Sequence, residues 1–138
     1  MRICICCSLA FGDEVRQIAK QLEAAGHEVV LPNGVIHRLN EQPDYDPVQA
    51  KIDTDPFHKY TDEIRASDAI LVCNYTKNGI ENYIGANSFA EMFVAYYFDK
   101  LIFALNPLPD IPYINDELNA FGAKILNGDL SKIANPSK

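Results

Sequence analysis

Short apolar runs alternate with amphipathic segments along the chain, and this alternation restricts the possible folds more than any other feature. Five apolar runs of strand length lie at residues 2–7, 27–31, 68–73, 101–105 and 123–126. Apolar residues at helical spacing occur between them, at residues 13–25, 57–64, 88–98 and 115–121. Strands that alternate with helices are typical of parallel sheets with right-handed crossovers. The sequence therefore predicts an α/β protein.

Five parallel strands favour a flavodoxin-like, or Rossmann-like, three-layer sandwich with the strand order 2-1-3-4-5. In this fold, ligands bind beyond the carboxyl ends of the strands, near the point where the strand order reverses. Small polar residues follow four of the strands: Ser8, Asn74, Asn106 and Asn127. We expect Ser8 and Asn74 in particular to line a pocket for a hydroxyl-rich ligand, although both residue types are also common turn formers.

Length and charge limit the classes of function. The 138 residues suffice for one domain, which we place at residues 1–138. The net charge is −7 and no cluster of Lys and Arg is present, so a nucleic-acid polymer is not an expected partner. Every apolar run is too short to cross a membrane or to act as a signal peptide. We therefore expect a soluble cytoplasmic protein with no membrane partner.

The sequence contains four cysteines and three histidines, but none has the spacing of a metal site or of a disulfide framework. Cys4, Cys6, Cys7 and Cys73 lie in apolar runs, so we interpret them as small hydrophobic residues of buried strands. The first loop has no G-x-G-x-x-G motif, no P-loop occurs, and a Ser/Thr-rich flavin loop is missing. We expect neither a metal nor a cofactor.

Residues 33–55 form a long polar segment with Pro43 and Pro47 and no clear hydrophobic period. A loop of this length in a compact domain usually has a function of its own. We predict that the segment covers the site and becomes ordered when a ligand binds.

Residues 78–95 carry the most chemical information. They contain a loop with Gly79 and Gly85, followed by a helix whose first turn we expect to carry Glu91. The helix dipole favours an ionised carboxylate at that place, and a nucleophile for glycosyl transfer must be ionised. The structural alternative is a capping box, in which Glu91 only bonds to the main-chain amide of Ser88.

Several segments together resemble the nucleoside 2-deoxyribosyltransferase superfamily, namely the Ser8 loop and residues 66–72, 91–95 and 100–102. Members of this family cleave the N-glycosidic bond of a nucleoside or nucleotide through a Glu that attacks the anomeric carbon. The resemblance implies that Glu91 is the nucleophile and that the partner is a small-molecule nucleoside or nucleotide. It also implies that water or a second base accepts the sugar. The substrate-binding residues expected around Glu91 are Ser8, Leu9, Asn74, Gly85, Asn87, Ser88 and Asn106.

Tyr60 stands where this family usually carries an Asp. As a catalytic residue, Tyr60 would orient Glu91 or donate a proton. As a structural residue, it would pack in the core beside Phe57 and Ile64. The second interpretation leaves the site without its acid, so the alternative to an N-glycosidase or deoxyribosyltransferase is a non-catalytic domain that binds or senses a nucleotide-like ligand.

The resemblance is also incomplete where a phosphate would bind. Nucleotide-cleaving members carry an Arg at the position of Ala10 and a phosphate-binding Ser at the position of Gly85. In this chain, a 5′-phosphate would have to rely on His37, Arg38 or Lys51 in the polar segment.

The helix at residues 88–98 is apolar nearly all the way round, whereas a helix that packs on a sheet with its back in water needs only one apolar stripe. We expect Phe89, Met92, Ala95 and Tyr96 to face the sheet. Phe93 and Tyr97 then lie on other faces, which predicts a homodimer or a higher homo-oligomer. The alternative is that the loop at residues 75–85 covers these rings within one chain.

Overall fold

The computed structural model describes residues 1–134, and its strands form a single parallel sheet in the order β2-β1-β3-β4-β5. Each neighbouring pair is parallel, with Ile3 opposite Ala69 at the centre of the sheet. The α/β class and the strand order predicted from the sequence are confirmed. The strands are β1 Arg2–Cys6, β2 Glu28–Val30, β3 Ala69–Val72, β4 Leu101–Ala104 and β5 Lys124–Ile125.

Helices cover both faces of the sheet. Their bounds are α1 Gly12–Ala24, α2 Asn33–Ile36, α3 Pro47–Thr54, α4 Pro56–Arg65, α5 Ala86–Tyr97 and α6 Asn115–Ala120. Short 3₁₀ turns lie at Leu9–Phe11, Leu39–Glu41 and Leu130–Lys132. Within residues 1–134, no helix combines the length and the apolar character that a bilayer crossing requires.

The side chains of β1 alternate between two hydrophobic cores, as the two-residue period of a strand requires. Ile3 and Ile5 pack on the face covered by α1, whereas Cys4 and Cys6 pack on the face covered by α4 and α5. Cys4 and Cys6 are buried, as is Cys73. These three cysteines therefore serve as small apolar core residues, whereas Cys7, beyond the end of β1, is only half-buried.

The polar segment at residues 33–55 is more regular than the sequence predicts, because it contains α2, a 3₁₀ turn and α3. Asp46 caps α3 by accepting hydrogen bonds from the amides of Val48 and Gln49 at 3.0 and 3.2 Å. Asp55, at φ 45°, ends α3 and caps α4. None of the side chains of α3 is fully buried, so this helix has no apolar stripe that a hydrophobic period could reveal.

Helix α5 presents aromatic rings to solvent. Met92 and Ala95 are buried against the sheet as predicted, but Tyr96 is 55% exposed, so its placement in the sheet-facing stripe was wrong. Phe93 and Tyr97 are 55% and 70% exposed. Tyr96 contacts Phe121, which follows α6, with ring centroids 5.7 Å apart, so it turns along the surface towards that ring. Because Phe93 and Tyr97 stay this exposed, the loop at residues 75–85 does not cover them; Phe93 contacts Phe121, and Tyr97 contacts Phe98.

We predict a homodimer that forms through this aromatic face of α5. At micromolar concentration, light scattering should give twice the mass of one chain, because burial of exposed aromatic rings stabilises an interface. The double variant Phe93→Glu with Tyr97→Glu should give the mass of one chain. Tyr113→Glu is the matched control, because Tyr113 is 84% exposed outside α5. A wild-type protein with the mass of one chain would contradict the prediction.

Candidate active site

A cavity of about 600 Å³ lies beyond the carboxyl ends of β1, β2 and β3, where the fold predicts a ligand site. Its walls come from three parts of the chain: the loop after β1, the stretch from Pro32 to Tyr60, and the stretch from Lys77 to Glu91. Glu91 and Tyr60, which the sequence analysis named as catalytic candidates, both line this cavity. The expected substrate-binding residues that also line it are Ser8, Leu9, Gly85, Asn87 and Ser88.

Asn74 and Asn106 do not line the cavity, so their prediction as ligand-binding residues is corrected. The Asn74 side-chain amide donates to the carbonyl oxygens of Asn106 and Pro107 at 2.9 and 3.0 Å. In return, the main-chain and side-chain nitrogens of Asn106 donate to Asn74 at 2.9 and 3.0 Å. These four bonds engage the side-chain amides of both residues and tie together the chain segments that leave β3 and β4.

Glu91 lies in the second turn of α5, because this helix begins at Ala86 with Gly85 as its N-cap. The apolar period of the sequence begins only at Ser88 and therefore predicts Glu91 in the first turn instead. Gly85 makes no side-chain cap, and Ser88 lies inside the helix, so the capping-box interpretation is wrong. The Glu91 carboxyl group is therefore not used by the helix end and faces the cavity.

Burial raises the pKa of Glu91 to about 8, and a hydrogen bond from the Cys6 thiol lowers it in part. Burial and the helix dipole change the pKa of Glu91 in opposite directions. The pKa is raised, so burial, which withdraws the carboxyl group from water, has the larger effect. Only a minority of the molecules therefore carry an ionised Glu91 at neutral pH. A carboxyl group that titrates near neutrality in a cavity is typical of catalytic sites.

Tyr60 is buried, and its hydroxyl group is directed at main-chain oxygens at the ends of two strands. The hydroxyl contacts the carbonyl of Ile5 and that of Val30, the latter at 3.1 Å. Burial raises the pKa of Tyr60 well above its usual value, so the group stays a neutral donor. Within residues 1–134, Tyr60 and Glu91 share a cavity wall but no hydrogen bond. This geometry favours an anchoring role for Tyr60 over proton donation.

We predict that Tyr60→Phe lowers the free energy of unfolding by about 1 kcal/mol, because a buried carbonyl group loses its donor. Urea unfolding would measure this loss. Any catalytic turnover should change little, since the ring and its packing remain. A variant with unchanged stability and strongly reduced turnover would instead assign Tyr60 to the reaction.

Three lysines line the cavity: Lys51, Lys59 and Lys77. None of them forms a salt bridge within residues 1–134. The cavity thus concentrates positive charge in a protein whose net charge is −7. A concave surface with one sign of charge raises the local concentration of ligands of the opposite sign. The arrangement suits an anionic ligand.

Of these lysines, only Lys51 is among the phosphate donors expected from the sequence. His37 and Arg38, the other expected donors, do not line the cavity, and Arg38 pairs with Glu41 at 3.1 Å. Lys77 also has a signal in the sequence. It precedes Asn78-Gly79, the strongest short-range indication of a tight turn, and this turn follows a buried strand.

Comparison with known proteins supports the fold assignment. No family profile and no curated protein sequence matches the chain. Among solved structures, the chain is similar to the CMP N-glycosidase BcmB from Clostridium botulinum, with a TM-score of 0.52 and 16% sequence identity. The similarity covers 92% of this chain and 90% of that chain, so the two share their overall fold.

Proposed function

We propose that this protein cleaves the N-glycosidic bond of a nucleotide, with Glu91 as the nucleophile. The observation that carries the proposal is the position of Glu91, whose carboxyl group faces a cavity of about 600 Å³ at the ligand-binding edge of the sheet. The volume suits a nucleotide-sized ligand. The CMP N-glycosidase that shares the fold supports the same reaction class.

The proposed reaction has two steps. The Glu91 carboxylate attacks the anomeric carbon, the carbon–nitrogen bond breaks, and its electron pair leaves with the base, which takes up a proton from water. The sugar is then held as an ester of Glu91 until water, or a second base, attacks the same carbon and releases the carboxylate. The first attack requires an ionised Glu91, and the second attack regenerates it. The reaction therefore depends on the protonation state of this residue.

A nucleotide is favoured over a nucleoside by the charge of the cavity. Lys51, Lys59 and Lys77 line it without carboxylate partners in residues 1–134. An uncharged nucleoside would leave these ammonium groups without a counter-charge, whereas a phosphate group provides one.

The test is an incubation of the protein with paired nucleosides and nucleoside 5′-monophosphates, with free base measured by chromatography. We expect base release from at least one 5′-monophosphate, and faster release from it than from the matching nucleoside. If no compound of either set releases base, the proposed activity is wrong.

One observation favours a second candidate function, the binding of a nucleotide-like ligand without catalysis. Glu91 is mostly protonated at neutral pH, and the Tyr60 hydroxyl is directed at main-chain oxygens rather than at Glu91. In that case, 5′-monophosphates would raise the melting temperature while the ligand stays intact. Melting curves and chromatography on the same samples distinguish the two functions.

The segment at residues 33–55 should become more rigid when a nucleotide binds. It lines the cavity through Asn33, Leu39, Tyr45 and Lys51, yet Val35 is its only fully buried residue. We predict that its amides exchange fast in the free protein and slowly with a saturating 5′-monophosphate. Amides of β3 are the internal control, because they should stay protected in both states. Equal protection of the segment in both states would contradict its role as a lid.

A further inference from the structure

Lys77 is held at the cavity by a tight hairpin turn. The amide of Ile80 donates to the Lys77 carbonyl at 2.9 Å, and the amide of Lys77 donates to the Ile80 carbonyl at 3.1 Å. Asn78 and Gly79 between them have φ values of 52° and 75°, the left-handed pair that a type I′ turn requires. This turn fixes the main chain of Lys77 independently of any ligand.

The ammonium group of Lys77 is also held in place. Its Nζ atom donates to the hydroxyl oxygen of Ser8 at 2.8 Å. It also lies 5.7 Å from the centre of the Tyr83 ring, within the range of a cation–π interaction. These contacts orient the group but do not neutralise it, and no carboxylate pairs with it in residues 1–134.

Gly85 makes room for the Tyr83 ring. A Cβ atom at residue 85 would lie 3.2 Å from a ring carbon of Tyr83 and 3.3 Å from its hydroxyl oxygen. The φ of Gly85 is −84°, so its small size rather than its backbone freedom is what the site uses. Tyr83 and Gly85 both line the cavity, which places the Tyr83 ring, and with it the Lys77 ammonium group, at the cavity wall.

We propose that Lys77 is the residue that makes this cavity select a phosphorylated ligand, by binding the phosphate group together with the Ser8 hydroxyl. Lys77 provides a fixed positive charge with hydrogen-bond donors, and Ser8 provides a neighbouring hydroxyl donor. A phosphate oxygen can take the place of the Ser8 oxygen as the acceptor for Lys77, which leaves the Ser8 hydroxyl free to donate to a second phosphate oxygen. The proposal rests on the proposed function only for the identity of the rest of the ligand.

Lys51 and Lys59 line the same cavity but lack this geometry. Neither forms a side-chain hydrogen bond within residues 1–134, whereas Lys77 is bound to Ser8. Lys51 also belongs to α3, a helix without a fully buried residue. A fixed cation loses less conformational entropy on binding than a mobile one, so Lys77 is the stronger candidate for specificity.

The first test uses inorganic phosphate as the probe. Phosphate is titrated at constant ionic strength into wild type, Lys77→Met and Lys20→Met, and binding is followed by amide chemical shifts. We expect saturable binding near Ser8 and Lys77 in wild type and a loss of about tenfold or more in Lys77→Met. Lys20→Met is the matched control, because Lys20 is exposed on α1 outside the cavity, and it should bind like wild type.

The proposal is overturned if wild type does not bind phosphate, or if Lys77→Met binds it equally well. Lys77 also bonds to Ser8, so its replacement removes a contact of the loop. The melting temperatures of wild type and Lys77→Met are therefore compared, and two further variants separate the charge from the structural contact. Lys77→Arg, which keeps the charge, should retain most of the binding, whereas Lys77→Gln should lose it. If the two variants bind alike, the charge is not responsible and the proposal is wrong.

The second test compares ligands with and without the phosphate group. In Lys77→Met, the affinity for a 5′-monophosphate should fall while that for the matching nucleoside stays the same. An equal fall for both would show a structural role only and would overturn the proposal. These are binding measurements, so a protein that binds phosphate through Lys77 but releases no base would refute the proposed activity and leave the Lys77 assignment intact.

Discussion

Glu91→Gln should lower turnover by at least about a thousandfold, because an amide cannot form the glycosyl ester that the proposed reaction requires. The side chain keeps its size, and the end of α5 does not depend on it, so the fold should remain. Base release from 5′-monophosphates measures the turnover, and circular dichroism checks the fold. Glu81→Gln is the matched control, because Glu81 is exposed in the loop before α5 and does not line the cavity.

The same variant should change stability in a pH-dependent way. The folded pKa of Glu91, about 8, lies above the ordinary value of 4.5, so the folded state holds this proton more tightly than the unfolded state. Wild type therefore loses stability as the pH rises from about 4.5 through 8, whereas Glu91→Gln does not. The pKa difference between the two states, from 4.5 to about 8, corresponds at 1.36 kcal/mol per unit to about 5 kcal/mol, so at pH 9 the variant should be the more stable protein by up to about that amount, and this advantage should vanish at pH 4.

Two outcomes would contradict the role of Glu91. Turnover like that of wild type in Glu91→Gln would exclude the residue as the nucleophile. Urea unfolding with no pH-dependent difference between the two proteins would show that its carboxyl group is not buried in the way that the structure describes.

The pH dependence of kcat/KM should be the second large effect. If ionised Glu91 attacks the sugar, kcat/KM rises by about tenfold per pH unit below the pKa and levels off near pH 8. Between pH 5 and pH 8, the increase should thus approach a thousandfold. The measurement uses initial rates of base release at substrate concentrations well below KM, because these report on the free enzyme.

Cys6 offers an internal check on that profile. Its thiol hydrogen bond lowers the pKa of Glu91, so Cys6→Ala should move the rise of kcat/KM to higher pH. A profile that is highest below pH 7 and falls through pH 8 would contradict the nucleophile assignment, since it would mean that protonated Glu91 is the active form. A flat profile would separate Glu91 from the rate-limiting step.

The sheet was predictable from the sequence because its strands are covered on both faces. β3 is apolar at every position. β1 is apolar after Arg2, because its successive side chains enter the cores on opposite faces of the sheet. The start of α5 was missed by two residues because Ala86 and Asn87 are exposed and add nothing to a hydrophobic period. α3 was missed for the same reason, since none of its residues is fully buried.

The site was predictable only in part, because a cavity depends on which distant segments meet. Ser8 was predicted from its place after a strand, and Glu91 from its helix together with the resemblance to a known family. Lys59 was not, because nothing in the spacing of α4 shows which of its polar residues faces the cavity. Asn74 follows a strand like Ser8, but its amide finds main-chain partners across the sheet edge, and only the structure reveals them.

The positions of the four thiols have a practical consequence. Cys4, Cys6 and Cys73 are buried, whereas Cys7 is half-buried and lines the cavity. Burial raises the pKa of Cys7 to about 12, so its reaction with an alkylating reagent should be slow and easily followed in time. The unmodified chain therefore carries its own chemical reporter of cavity occupancy. The alkylation rate of a single native cysteine can rank ligands even when none of them is turned over.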